Sequence, residues 1–320
     1  MADLLTVTSL GQIFGTMTTV QAVDDVSFTM PKEPSIFNLV GESGSGKTTI
    51  ARIILGLQKP TAGHVLYNNT DIGSKDKQWQ TLFHREVQAV FQNPYSVYNP
   101  VYKVDRVLQT PIRKFKLSRS QQESREMIES SLRAVDLRPG DVLGKYPHQL
   151  SGGQRQRVML ARIHLIQPRL IIADEAVSMV DAAGRVTFLN VLLDFRERLN
   201  ISTLYITHDL STAQYLGGNI IVLYKGRIVE AGLTREVTKN PLHPYARLLI
   251  QSIPAPDPNK RWAEKLPLNM AEMSLVQSTN RARCLFAERC PNVMDACWQT
   301  RPELRKAPTD NTHEVACHLY

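Results

Sequence analysis

The chain has 320 residues, 42% hydrophobic and 21% charged, enough apolar material for a sizeable core in one large domain or two and too much for wholesale disorder. Its net charge of +8 comes from basic residues spread along the chain rather than run together, which reads as a solvated surface or attraction to an anionic bilayer, and no nucleic-acid partner is expected. No run of about 18 apolar residues occurs, so no helix is expected to span a bilayer; "MADLLTVTSLGQ" has no basic leader, so the chain is expected in the cytosol.

In chain order, "SIFNLV" (35–40) reads as a buried strand and "TTIARIILGL" (48–57) as a helix. "KPTAGH" (59–64) reads as a turn, and "VQAVFQNP" (87–94) as a strand running into a loop. From about 100 to 168 the sequence is helical in character. "RLIIADE" (169–175) is a strand without polar alternation, as burial on both faces requires. "GRVTFLNVLLDFRERL" (184–199) is helical, "STLYIT" (202–207) is another buried strand, and "NIIVLYKGRIVEAG" (219–232) is a hairpin turning at Lys225-Gly226. Strands alternating with helices imply a parallel sheet sandwiched by helices, hence an α/β fold. After about 240 the style changes: "IPAPDPNKRW" (253–262) reads as an exposed linker, and a Cys-containing module closes the sequence.

The stretch "GESGSGKTT" (41–49) follows one predicted strand and opens a helix. Gly41, four residues, Gly46, Lys47 and Thr48 fit the phosphate-binding P-loop in the context that motif needs. Gly41, Glu42, Ser43, Gly44, Ser45 and Gly46 are expected to turn backbone N–H groups toward phosphate oxygens, with Thr49 in the helix's first turn. Lys47 is placed to reach the β- and γ-phosphates, and the Thr48 hydroxyl to ligate Mg²⁺. Asp174, at the end of "LIIAD", is expected to hold Mg²⁺ directly or through water, and Glu175 to polarise the attacking water. His208 in "ITHDL" ends the next strand and can hydrogen-bond the γ-phosphate. Gln92 in "VFQNP" ends another, where its amide can touch both Mg²⁺ and water.

With "LSGGQRQRV" (150–158) in the same chain as "GESGSGKT", "FQNP", "LIIADE" and "THD", the sequence resembles the ATP-binding subunits of ABC transporters over about 230 residues. "NPLHPYARLLIQSIP" resembles the C-terminal extension of the oligopeptide/dipeptide importer subfamily, so the resemblance covers nearly the whole chain. It implies a P-loop ATPase core over 1–240 with an N-terminal antiparallel β subdomain and a helical subdomain at about 93–168, followed by the extension over 241–320. It also implies that Ser151, Gly152, Gly153 and Gln154 bind ATP held by a partner subunit, and that Asp181 is the D-loop aspartate between the two sites. Phe14 in "GQIFG" is the residue available to stack on adenine, with Met17 close behind. The implied partners are a second ATPase subunit, identical or paralogous, two membrane permeases and an extracytoplasmic solute-binding protein. The protein would then sit peripherally on the cytoplasmic face of the inner membrane. The loop "NPYSVYNPVYKV" (93–104), just past Gln92, would receive a coupling helix from the permease.

The sequence departs from the family in "AVSMVD" (176–181), where Ala176 and Val177 replace the usual Pro-Thr and leave the loop's φ unfixed. "SMVDA" resembles a branch whose solutes include oligosaccharides rather than peptides. Two rival readings are a non-transport ABC ATPase and a non-catalytic member of a heterodimer. A single P-loop, a single "LSGGQ" and no heptad run argue against the first; Lys47, Glu175, His208 and "LSGGQ" argue against the second.

Cys284, Cys290, Cys297 and Cys317 are the only cysteines, separated by five, six and nineteen residues. Four thiols this close in a cytosolic protein suggest metal before disulfides. The gaps exceed the short pairs zinc favours, and Cys290-Pro291 echoes ferredoxins. A four-thiolate iron–sulfur site therefore leads zinc or plain thiols. The resemblance to the peptide-importer subfamily implies a [4Fe–4S] cluster on these cysteines; because nothing else in the sequence points to redox chemistry, a structural role is expected for it, with His313 and His318 as spare ligands at best.

Overall fold

A computed structural model describes residues 3–15, 18–92, 98–252, 281–307 and 310–320. Strands β1 (Asp3–Phe14) and β2 (Val20–Pro31) form a long antiparallel pair, followed by β3 (Ile36–Val40) and helix α1 (Lys47–Ile54). Then come β4 (Ala62–Tyr67), β5 (Thr70–Asp71), α2 (Lys77–Glu86) and β6 (Val87–Phe91). The helical region holds α3 (Asp105–Phe115), α4 (Gln121–Ala134), α5 (Pro139–Val142) and α6 (Gly152–Ile166). Next are β7 (Leu170–Asp174), α7 (Ala182–Leu199), β8 (Ser202–Thr207), α8 (Leu210–Leu216), β9 (Asn219–Tyr224) and β10 (Arg227–Leu233). The C-terminal part adds α9 (Thr234–Lys239), α10 (Pro244–Gln251), α11 (Asp295–Gln299), β11 (Arg305–Ala307) and β12 (Asp310–Val315).

Two sheets result. One is antiparallel with strand order β2-β1-β4-β5; the other has eight strands in the order β11-β12-β10-β9-β3-β8-β7-β6. Strands β6, β7, β8, β3 and β9 run parallel, and β10, β12 and β11 continue the sheet antiparallel. The missing alternation in "LIIAD" has a direct cause. Leu170 and Ile172 face the core shared with the antiparallel sheet and α1, whereas Ile171 and Ala173 face the core built on α3, α4, α6 and α7. A strand covered on both faces has no wet side to mark.

The strands expected at 35–40, 169–175 and 202–207, the helix at 184–199 and the hairpin at Lys225-Gly226 all form; of the strand running into a loop expected over 87–94, the strand forms as β6 and ends at Phe91, and residues 93 and 94 lie outside the described residues. The segment 59–64 is corrected: β4 begins at Ala62, so only its first part is a turn. The expected helical stretch is four α-helices with a 3-10 turn at Pro147–Gln149. The linker at 253–262 lies outside the described residues. Among the described residues no helix is long and apolar enough to cross a membrane.

Candidate nucleotide site

The buried strand β3 delivers the chain to Gly41 at the sheet's C-terminal edge, where ligands of open α/β sheets bind. Gly46 is the N-cap of α1 with φ of 104°, and a Cβ there would lie 2.3 Å from the Ala22 carbonyl oxygen. Only glycine fits so close to β2 in that left-handed conformation. Ser43 and Gly44 are exposed at the loop's tip, Ser45 is buried, and Thr49 is half-buried in the first turn of α1. Lys47 is 4% exposed. Its Nζ donates to the carbonyls of Gly41 and Glu42, 2.8 Å each, and to Ser45 Oγ at 3.4 Å. Burial pushes its pKa down, while Glu175, Asp174 and Glu42 pull it back up.

Asp174 ends β7 opposite Phe91 of β6 and Ile206 of β8. The Thr48 hydroxyl donates to its Oδ1 at 3.3 Å. Burial raises the Asp174 pKa, opposed by the Thr48 hydrogen bond and by Lys47, with Glu175 adding to the rise. A hydroxyl and a carboxylate side by side at a phosphate loop are the hard oxygen donors that Mg²⁺ takes, so the residues fit that ion. Glu175 has a left-handed backbone, φ 47°. Its N–H donates to the Ile206 carbonyl at 2.9 Å, and its own carbonyl accepts from the Ser178 N–H and hydroxyl at 3.1 and 3.0 Å. The strained turn aims the carboxylate at His208, whose Nδ1 lies 3.2 Å from Glu175 Oε1. Gln92 is exposed one residue beyond Phe91. The fold therefore brings Lys47, Thr48, Asp174, Glu175 and His208 together, with Gln92 at the neighbouring strand end.

The loop "AVSMVD" is pinned without its proline. Gln156 of α6, 1% exposed, donates from Nε2 to the Ala176 carbonyl at 2.6 Å. Ala176 and Val177 are themselves buried. Ser151 caps α6 reciprocally: its hydroxyl accepts from the Gln154 N–H at 3.1 Å, and Gln154 Oε1 accepts from the Ser151 N–H at 2.9 Å. Gly152 and Gly153 lie against Met179 and Val180. Asp181 caps α7 through the Gly184 N–H at 2.8 Å. Phe14, the last residue of β1, is 43% exposed, as a ring offered for stacking must be. Met17 lies outside the described residues.

The four cysteines are free thiols. The Cys284 N–H donates to the Cys297 carbonyl at 3.0 Å. Burial raises the pKa of Cys284, Cys290 and Cys317, the last to about 11, and neighbouring thiols add to each rise. The four are thus electrostatic neighbours. Among the described residues, however, no group of three or more His, Cys, Asp or Glu is placed to hold a metal ion. The expected four-thiolate arrangement is present as proximity and not as a ligand shell. The spare ligands are otherwise engaged: His313 Nε2 faces Glu230 Oε1 at 2.7 Å, and His318 Nε2 faces the Thr300 carbonyl at 3.0 Å.

Of "NPYSVYNPVYKV", residues 93–97 lie outside the described residues. Tyr98 is buried, its hydroxyl donating to the Arg155 carbonyl at 2.7 Å, while Val101 and Tyr102 are exposed. Tyr98, Tyr102 and Arg106 line one side of a cleft of about 440 Å³ reaching Gln88 and Arg162. Sequence reasoning passed over Gln156 and two residues of the C-terminal part, Tyr245 and Arg289, which touch the phosphate loop. Their partners lie 20 to 247 positions away, so no local pattern marks them.

Residues 23–178 match the ABC transporter family, and residues 229–297 match the oligopeptide/dipeptide transporter C-terminal region. A "Probable peptide ABC transporter ATP-binding protein" of Sinorhizobium fredii is 39% identical over 94% of this chain and 83% of the relative. The oligopeptide transport ATP-binding protein OppF of Escherichia coli is 35% identical over 93% of this chain and 88% of its own length. A dimeric ATP-binding cassette solved in a post-hydrolysis state with ADP and Pi superposes with a TM-score of 0.64 at 26% identity. That match covers 72% of this chain and 99% of the cassette.

Proposed function

Given that this chain belongs to the ABC transporter family as an ATP-binding subunit, we propose that it powers import of oligopeptides or dipeptides by hydrolysing ATP between itself and a second ATPase subunit. The observation that carries the reading is the joining of Lys47, Thr48, Asp174, Glu175 and His208 at one sheet edge. The peptide class rests on the C-terminal region and on the relatives' names; nothing in either favours oligosaccharides.

The loop 41–49 cradles the phosphates with backbone N–H groups, and Lys47 leaves its carbonyl partners for the β- and γ-oxygens. Thr48, Asp174 and Gln92 would hold Mg²⁺, which neutralises charge developing on the phosphates. Glu175 takes up the proton of the attacking water, and His208 orients the γ-phosphate and steadies the Glu175 carboxylate. The helix cap at Ser151 to Gln154, with Ser151 exposed, closes over nucleotide held by the partner ATPase, and Asp181 senses that closure. Phe14 stacks on adenine. Closure draws in Gln92 and turns the helical subdomain, whose cleft beside Tyr98 and Tyr102 takes the permease helix. Two permeases and an extracytoplasmic binding protein complete the importer, with this subunit on the cytoplasmic face.

In the assembled transporter, Glu175→Gln is expected to bind ATP normally and to lose turnover by about 10²-fold or more; unchanged turnover overturns the assignment.

The [4Fe–4S] cluster belongs to the same reading. Cys284, Cys290, Cys297 and Cys317 would hold it, and their all-sulfur donor set suits iron. It would supply a covalent tie for the C-terminal part. Anaerobically purified protein is expected to be coloured and to contain iron; four titratable thiols in a colourless protein overturn this.

A further inference from the structure

The phosphate loop is held from outside the ATPase motifs. Glu42, its second residue, is gripped at both ends by side chains from beyond residue 240. The Arg289 guanidinium meets the Glu42 carboxylate in a two-pronged contact, NH1 to Oε2 at 3.0 Å and NH2 to Oε1 at 2.9 Å. The Glu42 backbone N–H donates to the Tyr245 hydroxyl at 2.8 Å. Both holding groups are rigidly backed. Arg289 closes a 3-10 turn, Ala287–Arg289, and its guanidinium lies 5.7 and 5.9 Å from the ring centres of Phe286 and Tyr224. Tyr245 is fully buried in α10 and packs at 4.5 Å on Tyr224 of β9 and at 5.6 Å on Phe286. The carbonyl of the same Glu42 accepts from Lys47 Nζ. A chain of contacts thus runs from the Cys-containing module through Glu42 to the lysine of the nucleotide site.

We propose that the C-terminal part is a positioning element for the phosphate loop: Arg289 and Tyr245 hold Glu42 so that the loop is ordered before ATP arrives. This rests on residues 41–49 being the ATP site, as proposed above. An ordered loop spares ATP the entropy of arranging it, so the effect falls on binding. A fork-shaped guanidinium on a carboxylate fixes direction as well as distance, which a lysine does not reproduce. Tyr245→Phe keeps the ring packing and removes only the acceptor for the Glu42 N–H.

The experiment is ATP hydrolysis by the assembled transporter across ATP concentrations, with thermal unfolding of each variant alongside. Arg289→Ala and Tyr245→Phe are each expected to raise the KM for ATP by about 3- to 10-fold, with kcat held within about 2-fold. Arg289→Lys should recover only part of the loss. The double variant Glu42→Ala/Arg289→Ala should be no worse than Glu42→Ala alone, because the two residues act through one contact. Unmoved KM, additive losses, or a lower unfolding temperature with normal KM each overturn the proposal. Lys47→Ala separates the two levels. If it destroys ATP binding while Arg289→Ala does nothing, only the positioning role fails; if it binds ATP normally, the nucleotide site itself fails.

Discussion

His243 illustrates how one residue ties acid sensitivity to the C-terminal part. Its ring is 2% exposed and accepts the Tyr245 N–H at 3.0 Å as the cap of α10. Burial, with Arg247 adding, lowers its pKa from 6.5 to about 4. The folded chain therefore refuses a proton that the unfolded chain accepts, so the neutral ring's contribution is present above pH 6.5 and is lost as pH falls toward 4. By pH 5 the loss is about 2 kcal/mol. His243→Asn keeps a cap acceptor without a titrating ring. Denaturant unfolding of the two proteins between pH 7 and 5 should show the wild type losing that much more stability than the variant. Parallel pH profiles would contradict the assignment. The left-handed Glu175 is also a residue-scale feature: its strain is tolerated because Ile206 and Ser178 fix both sides of the peptide.

Among the elements, α6 connects the helical subdomain to the site. Its Gln156 bonds the Ala176 carbonyl at 2.6 Å and reaches the Phe91 carbonyl at 3.4 Å, joining the strand ends that carry Glu175 and Gln92. Gln156→Ala leaves a buried carbonyl unpaired and should cost about 1–3 kcal/mol of stability. It should also lower ATP turnover, because the loop after β7 loses the bond that holds the Ala176 carbonyl. Normal turnover would show that the loop needs no such support. The strands of the parallel sheet were legible in sequence because "IFNLV", "LIIAD" and "STLYIT" are apolar runs ended by Gly41, Glu175 and His208. β4 was not: its first three residues are exposed, and Ala62-Gly63 resembles a turn. α2 was missed because Phe83 is its single buried residue, although Asp76 caps it through the Gln78 N–H at 2.8 Å. The nucleotide motifs were readable because phosphate chemistry demands contiguous residues. The Glu42 contacts were not, since sequence carries no mark of a partner met only after folding.

For the whole molecule, the decisive contact joins the C-terminal part to the ATPase sheet. Glu230 of β10 is fully buried. Its carboxylate accepts the Leu242 and His243 N–H groups at 2.9 and 2.7 Å and faces His313 of β12 at 2.7 Å. Glu230→Ala strands a buried amide, a half-buried one and a ring nitrogen, and about 3–5 kcal/mol of stability should go with it. A denaturant midpoint within error of wild type would show that the packing of β12 does not depend on this carboxylate.

The pairing of Glu230 with Val315 and of Ala231 with Glu314 also sets an order of events during synthesis. A ribosome that has released β10 has yet to make the strand that covers it. Until then β10 offers a bare row of amides and carbonyls to whatever extended segment is nearby. Fragments lacking the last strands are therefore expected to aggregate more readily than the full chain.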